Sequence, residues 1–508
     1  MAKALMIQGT GSGAGKTLLV TALCRIFNNQ GIKVAPFKAQ NMALNSFITK
    51  DGGEIGRAQA LQAEAARIEP TVDMNPVLLK ASGERGCQVI VHGKVFGHYE
   101  ARQYYSLKES LWPYVKDSFD RLSEEYDLVI IEGAGSPAEI NLMDSDIVNM
   151  RMAKYAKAPV LLVGDIDRGG VFASLYGTLK LLGHESRYIK ALVINKFRGD
   201  IEILKPGLNI LEKKTGRSVI GVIPYMKDTG LPEEDSLWFE SLRRDHLHAQ
   251  GFRPYIKVVV LRLRYISNFT DFDPLFYEPD LELIYSRNPS DIENADIVIV
   301  PGTKNTVKDL LSLKEDSLDQ SLKRAYEKGV TIIGICGGYQ ILGKRIYDPF
   351  GVESHHKEVS GIGLLNIETV FDYAKITSQV EAEFNTRDLL LEPSNARAIH
   401  ELPLHGYEIH MGNSKGEISL FRINRVSHGV ESLLDGSING NCWGTYIHGL
   451  FENDHFRRAI INSARIKKGL EPLNFTYSYR DLKDQMIESV SRTVEKSLDM
   501  SFIWRLIS

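Results

Sequence analysis

The chain begins with a strand pattern, Ala4 to Gln8, that passes at once into GTGSGAGKT (Gly9 to Thr17) and then into a helical pattern from Leu18 to Asn28. Few short stretches constrain a fold more. Glycines this dense let successive backbone N–H groups curl around phosphate oxygens, and the following helix turns its positive end toward the same charge. Lys16 then reaches the outer phosphates, and the Thr17 hydroxyl suits Mg²⁺. The strict pattern G-x-x-x-x-G-K-[ST] wants glycine where Thr10 stands, so counted from Gly9 the loop is one residue longer than the standard form. Strand, loop and helix in this order predict a parallel α/β sheet with nucleotide at its strand ends. Thr10, Gly11, Gly13, Gly15, Lys16 and Thr17 are the expected nucleotide-binding positions.

The same alternation recurs through the front half. A strand is expected over Ile32 to Met42, with Lys38 and Asn41 at its C-terminal end. The polar stretch from Asp51 to Arg57 follows. Asp51 and Glu54 read either as Mg²⁺ or substrate groups or as a solvated turn with a carboxylate at a helix N-terminus. YDLVII, Tyr126 to Ile131, is a buried-strand pattern ending in Glu132, placed to be the second Mg²⁺ ligand or else a capping acid. APVLLVGDI delivers Asp165 and Asp167, followed by Arg168, and KALVIN ends at Asn195, in position for a purine edge. SVIGVIPYM, Ser218 to Met226, is the last strand before a charged, mixed stretch from Lys227 to Phe252, where the domain boundary is expected.

At 508 residues the chain is too long for one core. It is 43% hydrophobic and 25% charged with a net charge of −3, so no basic excess points to nucleic acid. Four scattered cysteines without a C-x-x-C pair argue against a disulfide framework or a zinc site. No charged leader and no apolar run of membrane-spanning length is present, so a cytoplasmic enzyme with no membrane partner is expected. Neither an internal repeat nor a low-complexity segment is evident.

The second half restarts with IKVVVLRL, LELIYSR and ADIVIVPG, and reaches VTIIGICGGYQILG, Val330 to Gly343. A β-branched run breaks at Gly334-Ile335-Cys336-Gly337-Gly338 and resumes as helix, the pattern of a nucleophile elbow. Cys336 is either a nucleophile at a helix N-terminus, where thiolate is favoured, or a buried thiol after a core strand. Gly302 follows another strand, and its N–H can face an oxyanion formed near Cys336. A cysteine nucleophile needs an imidazole within reach. Of thirteen histidines, His448 ends the apolar strand GTYI and is presented at its tip; His355 and His356 fall in a polar loop, and His405 and His410 in a turn-rich HGYEIHMG better suited to binding.

These residues together resemble a known family. GICGG at Gly334 to Gly338, PGT at Pro301 to Thr303 and the late His448 resemble a class I glutamine amidotransferase domain. GTGSGAGKT, EGAGSPAEINL (Glu132 to Leu142), DRGG and NKFRGD resemble the dethiobiotin-synthetase-like ATPase domain. In this order, with SNFTDFDPL at Ser267 to Leu275, nearly the whole chain resembles the cobyric acid synthase family. The resemblance implies an α/β protein of two domains, each with a mainly parallel sheet flanked by helices, the first P-loop NTPase-like. Expected are an ATPase and amide-ligase domain over 1–230, a linker over 231–255, an amidotransferase domain over 256–455 and a C-terminal helical extension over 456–508.

The resemblance further implies glutamine hydrolysis at Cys336 with His448 as general acid and base, and Gly302 and Gly337 N–H groups on the oxyanion. Ammonia would pass to the ATPase domain, where ATP, with Mg²⁺ on Thr17, Glu132 and Asp51, activates corrin carboxylates. The family amidates the b, d, e and g carboxylates of adenosylcobyrinic acid a,c-diamide. Lys38, Asn41 and Arg168 are, by position, the donors nearest such a macrocycle. The related a,c-diamide synthase, which shares both domains, is the alternative within enzymes, and a partitioning-type nucleotide switch the alternative outside them. One departure stands out: many class I domains carry a glutamate two residues after the histidine, and here that position is Leu450, leaving Glu452 or a backbone carbonyl to orient His448. Oligomeric state is left open.

Overall fold

A computed structural model describes residues 2–81, 86–227, 229–231, 256–385, 403–428, 432–474 and 476–508. The front half is built on six parallel strands in the order Ser218–Pro224, Ile189–Phe197, Val160–Asp165, Lys3–Gly9, Leu128–Glu132, Val34–Phe37. Strands apolar on both faces must be covered on both, and helices do so here. The central strand Lys3–Gly9 feeds the glycine loop and the helix Lys16–Asn29, while its neighbour Leu128–Glu132 ends in the carboxylate. Thus the loop and Glu132 emerge side by side.

The strand expected over Ile32 to Met42 is two strands. Val34–Phe37 belongs to the parallel sheet; the chain then turns at Lys38, and Gln40–Met42 joins a four-stranded sheet with Val77–Ala81, Gly86–Val91 and Lys94–Glu100. The apolar run stops at Phe37 because the Lys38 ammonium is directed to Glu132. A short hairpin, Ser46–Ile48 with Glu54–Gly56, projects from the same region.

The second half holds a parallel sheet ordered Leu281–Ser286, Ile256–Leu261, Ile297–Val300, Thr331–Ile335, Cys442–Thr445, with Ser437–Asn439 antiparallel at the edge. Beside it lies a seven-stranded mixed sheet dominated by the long antiparallel pair Ile367–Phe384 and Leu404–Gly416. HGYEIHMG, read as turns, lies inside Leu404–Gly416. Its mixed composition reflects a strand that packs a core with some residues and lines a cleft with others.

The linker expected over 231–255 lies, but for Leu231, outside the described residues. At the C-terminus, helix Asp454–Lys467 packs on the second half through Phe456, Ile460 and Ile461. Helices Tyr479–Ser497 and Met500–Ile507 instead return to the front half. Ile487, Val490, Val494 and Ile503 share a core with Leu19, Leu23 and Phe27, Trp504 meets Phe27 edge-on at 5.2 Å, and fully buried Arg25 pairs with Asp484 at 2.6 Å.

Candidate active site

Two clusters form at the strand ends, one in each half. In the second half, the strand Thr331–Ile335 ends at Cys336, which caps the short helix Gly337–Leu342 with φ 52° and ψ −110°. A non-glycine residue at positive φ in a sharp strand-to-helix turn is stored strain, tolerated where the surroundings fix it. Here the Cys336 N–H donates to the Thr445 carbonyl at 2.8 Å. A Cβ on Gly338 would fall 1.9 Å from the Val300 carbonyl oxygen, so only glycine lets the elbow lie this close to the neighbouring strand. Cys336 is 7% exposed, and its Sγ lies 3.4 Å from the Ile409 carbonyl.

His448, in the two-residue strand Ile447–His448, is buried and lines the same cleft as Cys336. Its Nδ1 lies 2.6 Å from Asp271 Oδ2. The other carboxylate oxygen, Oδ1, accepts from the Gly449 N–H at 3.3 Å and the Tyr407 hydroxyl at 3.4 Å. Tyr407 stacks on the imidazole, centroids 5.2 Å apart. Burial alone would discourage the imidazolium, but the Asp271 carboxylate and Cys336 beside it outweigh burial and hold the pKa at about 10. A Cβ on Gly302 would come within 3.0 Å of His448 Cε1, so Gly302 backbone faces the same space. Gly337 lies against Thr303 on the other side of the elbow.

Asp271 was not singled out by sequence reasoning. It sits in the turn Phe269–Phe272, inside SNFTDFDPL, and no local periodicity marks it. Glu452 does not face His448: it pairs with Arg57 at 2.8 Å and lies 3.8 Å from Lys483. His410 is committed elsewhere, stacked on Tyr446 at 3.7 Å with Nδ1 on the Gly412 carbonyl.

The cleft over Cys336 is lined from both halves. Lys304, Glu353 and Lys375 come from the second, and Lys80, on the strand Val77–Ala81, from the first. Buried Glu54 joins them, with Oε1 2.9 Å from Lys80 and Oε2 2.5 Å from Lys375. Burial would raise the Glu54 pKa, yet the two ammonium groups hold it well below the usual carboxylate range. Burial lowers that of Lys375 to about 7 and raises that of Glu353 to about 7. The hairpin carrying Glu54 also touches the long strands directly, Thr377 donating to the Gly52 carbonyl at 2.7 Å.

In the front half, Lys16 Nζ donates to the Gly11 and Gly135 carbonyls at 3.0 and 3.1 Å. Glu132 Oε1 accepts from Thr17 and from Lys38, each at 2.9 Å, and Oε2 from Gln62 at 2.6 Å. Burial opposes its ionisation, but Lys38 dominates and keeps its pKa low. Gly13 and Gly15 both take positive φ, and Thr10 N–H donates to the Val163 carbonyl at 3.0 Å. The Asn195 amide holds the Ala14 carbonyl at 2.9 Å, and Lys196 that of Gly13 at 2.7 Å.

Not every expected residue gathers there. Asp51 is exposed in the hairpin turn, bonded by Thr49, while Thr17 and Glu132 meet each other without it. Lys38 and Asn41 are buried, the first on Glu132 and the second donating to Gln59 at 2.9 Å, so they do not face an incoming macrocycle. Arg168 is the open one, its side chain 72% exposed beside Gly13.

Residues 5–237 match the CobQ/CobB/MinD/ParA nucleotide binding domain, and residues 257–456 the CobB/CobQ-like glutamine amidotransferase domain. Over 506 residues the chain is 54% identical to the cobyric acid synthase of Thermodesulfovibrio yellowstonii, covering 100% of this chain and 99% of that one. It is 48% identical over 514 residues to that of Caldanaerobacter subterraneus, covering 100% and 99%, and 47% identical over 509 residues to that of Clostridium tetani, covering 99% and 98%. The chain belongs to the cobyric acid synthase family. Family membership and the two matched domains make it an enzyme, an ATP-dependent amidotransferase of the ligase type. In this cobyric acid synthase family member no helix among the described residues is long and apolar enough to cross a membrane.

Proposed function

We propose that the enzyme amidates the b, d, e and g carboxylates of adenosylcobyrinic acid a,c-diamide, using ATP and ammonia released from glutamine at Cys336. The observation that carries this reading is the line Cys336–His448–Asp271 in one half of a chain whose other half presents Lys16, Thr17 and Glu132 at one strand-end cluster.

In the glutaminase half, Cys336 sulfur attacks the glutamine side-chain amide carbon. The new oxyanion is met by the Gly302 and Gly337 N–H groups. His448 gives its proton to the departing nitrogen, which leaves as ammonia and leaves a thioester on Cys336. Water, losing a proton to His448, then cleaves the thioester to glutamate and restores the thiol. Asp271, fixed on Nδ1, presents the other ring nitrogen to sulfur and stabilises the imidazolium. It takes the part that the absent glutamate at Leu450 leaves open.

In the ATPase half, a corrin carboxylate oxygen attacks the γ-phosphorus of ATP, giving an acyl phosphate and ADP. Ammonia attacks the acyl carbon, and inorganic phosphate leaves as the amide forms with loss of a proton. Thr10, Gly11, Gly13 and Gly15 offer the backbone cradle, Lys16 the charge on the outer phosphates, and Asn195 and Lys196 brace the loop. One hydroxyl and one carboxylate, completed by phosphate oxygens and water, suit Mg²⁺, so Thr17 and Glu132 fit as its protein ligands. The ion, when bound, neutralises charge developing on the phosphates. Arg168 at the loop rim is placed to meet an anionic substrate.

The deciding assay offers cobyrinic acid and its a,c-diamide separately, with ATP and glutamine. Four successive amidations of the a,c-diamide are expected; turnover of cobyrinic acid alone refutes the assignment.

A further inference from the structure

Charged side chains crowd the cleft over Cys336, and three of them satisfy one another. Glu54 takes Lys80 on one carboxylate oxygen at 2.9 Å and Lys375 on the other at 2.5 Å. Lys80 also donates to the Ser46 hydroxyl at 2.9 Å, and Lys375 to Gln88 Oε1 at 3.2 Å. Lys304 and Glu353, which line the same cleft, are left over. The Lys304 backbone N–H is fixed on the Tyr265 carbonyl at 2.9 Å, but among the described residues its ammonium makes neither an ion pair nor a hydrogen bond. The Glu353 carboxylate is held at the start of the helix Thr306–Glu315, accepting from the Thr306 N–H at 2.7 Å. Among the described residues no cation touches it.

The two charges are close enough to be felt without meeting. Burial raises the Glu353 pKa to about 7 against the pull of Lys304. Burial, and then Lys80, lower that of Lys304 against the pull of Glu353. Removing a charge from water without a contacting counter-charge is costly, and here two of opposite sign stand so beside a nucleophile. Opposite charges that stop short of each other leave room for a group that carries both signs. An α-amino acid does, with its ammonium and carboxylate on one carbon. In glutamine two methylene groups separate that carbon from the side-chain amide, so an amino-acid end held at Lys304 and Glu353 sets the reach of the amide within the cleft that holds Cys336.

We propose that Lys304 binds the α-carboxylate and Glu353 the α-ammonium of free glutamine, so that the cleft reads the amino-acid end of the molecule while Cys336 attacks the amide end. The proposal rests on the glutaminase reading given above. It goes beyond that reading by assigning the groups that tell free glutamine from glutamine within a peptide, whose α-nitrogen and α-carbonyl are neutral. Lys80 and Lys375 are not offered for the carboxylate because Glu54 already holds both.

Two analogues keep the side-chain amide and each lacks one charge: glutaramic acid has no α-ammonium, and 4-aminobutanamide no α-carboxylate. Ammonia release from each is compared with that from glutamine, using the full chain under conditions of synthesis. The unaltered enzyme is expected to prefer glutamine to either by about 10- to 100-fold in kcat/KM, the scale of a hydrogen bond to a charged group. Lys304→Met should lose the preference over 4-aminobutanamide alone, and Glu353→Gln that over glutaramic acid alone. Each loss should appear in KM, with kcat for glutamine within about threefold of wild type. Lys304→Arg, which keeps the charge, should keep the preference. A change that merely loosens the cleft weakens both preferences together or neither, and either pattern overturns the assignment. Where a variant folds poorly, the unaltered enzyme still decides, because equal use of glutamine and either analogue overturns the proposal. If the unaltered enzyme releases no ammonia from glutamine, the glutaminase reading itself fails, a result distinct from both.

Discussion

The carboxylate of Asp271 lies 2.6 Å from Nδ1 of His448, although the two residues are 177 positions apart in the chain. Both are buried, and the Tyr407 ring closes over the pair. Asp271→Asn keeps the size of the side chain while removing its charge. Glutamine hydrolysis should fall by about 10- to 100-fold or more, as for other residues that orient a catalytic imidazole. Ammonium-driven amidation should persist, and comparing the two rates checks it.

The same pair makes stability depend on pH. His448 has its folded pKa raised to about 10, above the ordinary 6.5, so the native state holds a proton that the unfolded chain releases. Its contribution is therefore complete below about pH 6.5 and is lost as pH rises through about 10. Denaturant midpoints across that window should fall for the wild type and fall less for Asp271→Asn. Parallel curves would show that the pair does not hold the proton.

Cys336→Ala should abolish glutamine-dependent synthesis and spare synthesis from added ammonia. Without ammonia rescue, Cys336 has a role beyond glutamine hydrolysis.

Lys16→Ala or Thr17→Ala should abolish ATP-dependent amidation while glutamine binding, read by calorimetry, survives. Glu132→Gln should shift the Mg²⁺ dependence of synthesis; an unchanged dependence would make Glu132 a structural acid.

Glu54 is 1% exposed between Lys80 and Lys375, which come from different halves of the molecule. Glu54→Gln removes the counter-charge that holds Lys80 and Lys375 in the buried cluster and should cost about 3–5 kcal/mol. Because the folded pKa of Glu54 lies below its ordinary value, the wild type should lose this contribution as pH falls below about 4.5. Chemical denaturation of both proteins at neutral and acid pH measures it.

What the sequence made legible was local. A glycine loop between strand and helix, an acid at a strand tip, a cysteine in a glycine elbow and a histidine ending GTYI all signal through neighbours within a few residues. Asp271 did not, because its partner is distant and a three-residue-spaced turn has no distinctive pattern. Charged and polar groups were read as solvated or as ligands, so the burial of Lys38 and Asn41 and the pairing of Glu54 across two domains escaped notice. HGYEIHMG was misread because a strand lining a cleft carries glycine and polar residues where a core strand would not. Asp51 and Glu54 looked alike in sequence; folding buried one between two lysines and left the other in solvent.

The helices from Tyr479 onward cover the very helix that follows the phosphate loop. In topological terms the amidotransferase domain is therefore an insertion, leaving the ATPase fold and handing the chain back to it. A domain tied at two ends has less freedom to swing than one hung from a single joint. Cutting the chain after the front half would not liberate an intact ATPase. It would strip that domain of part of its own outer layer, including the partner of buried Arg25.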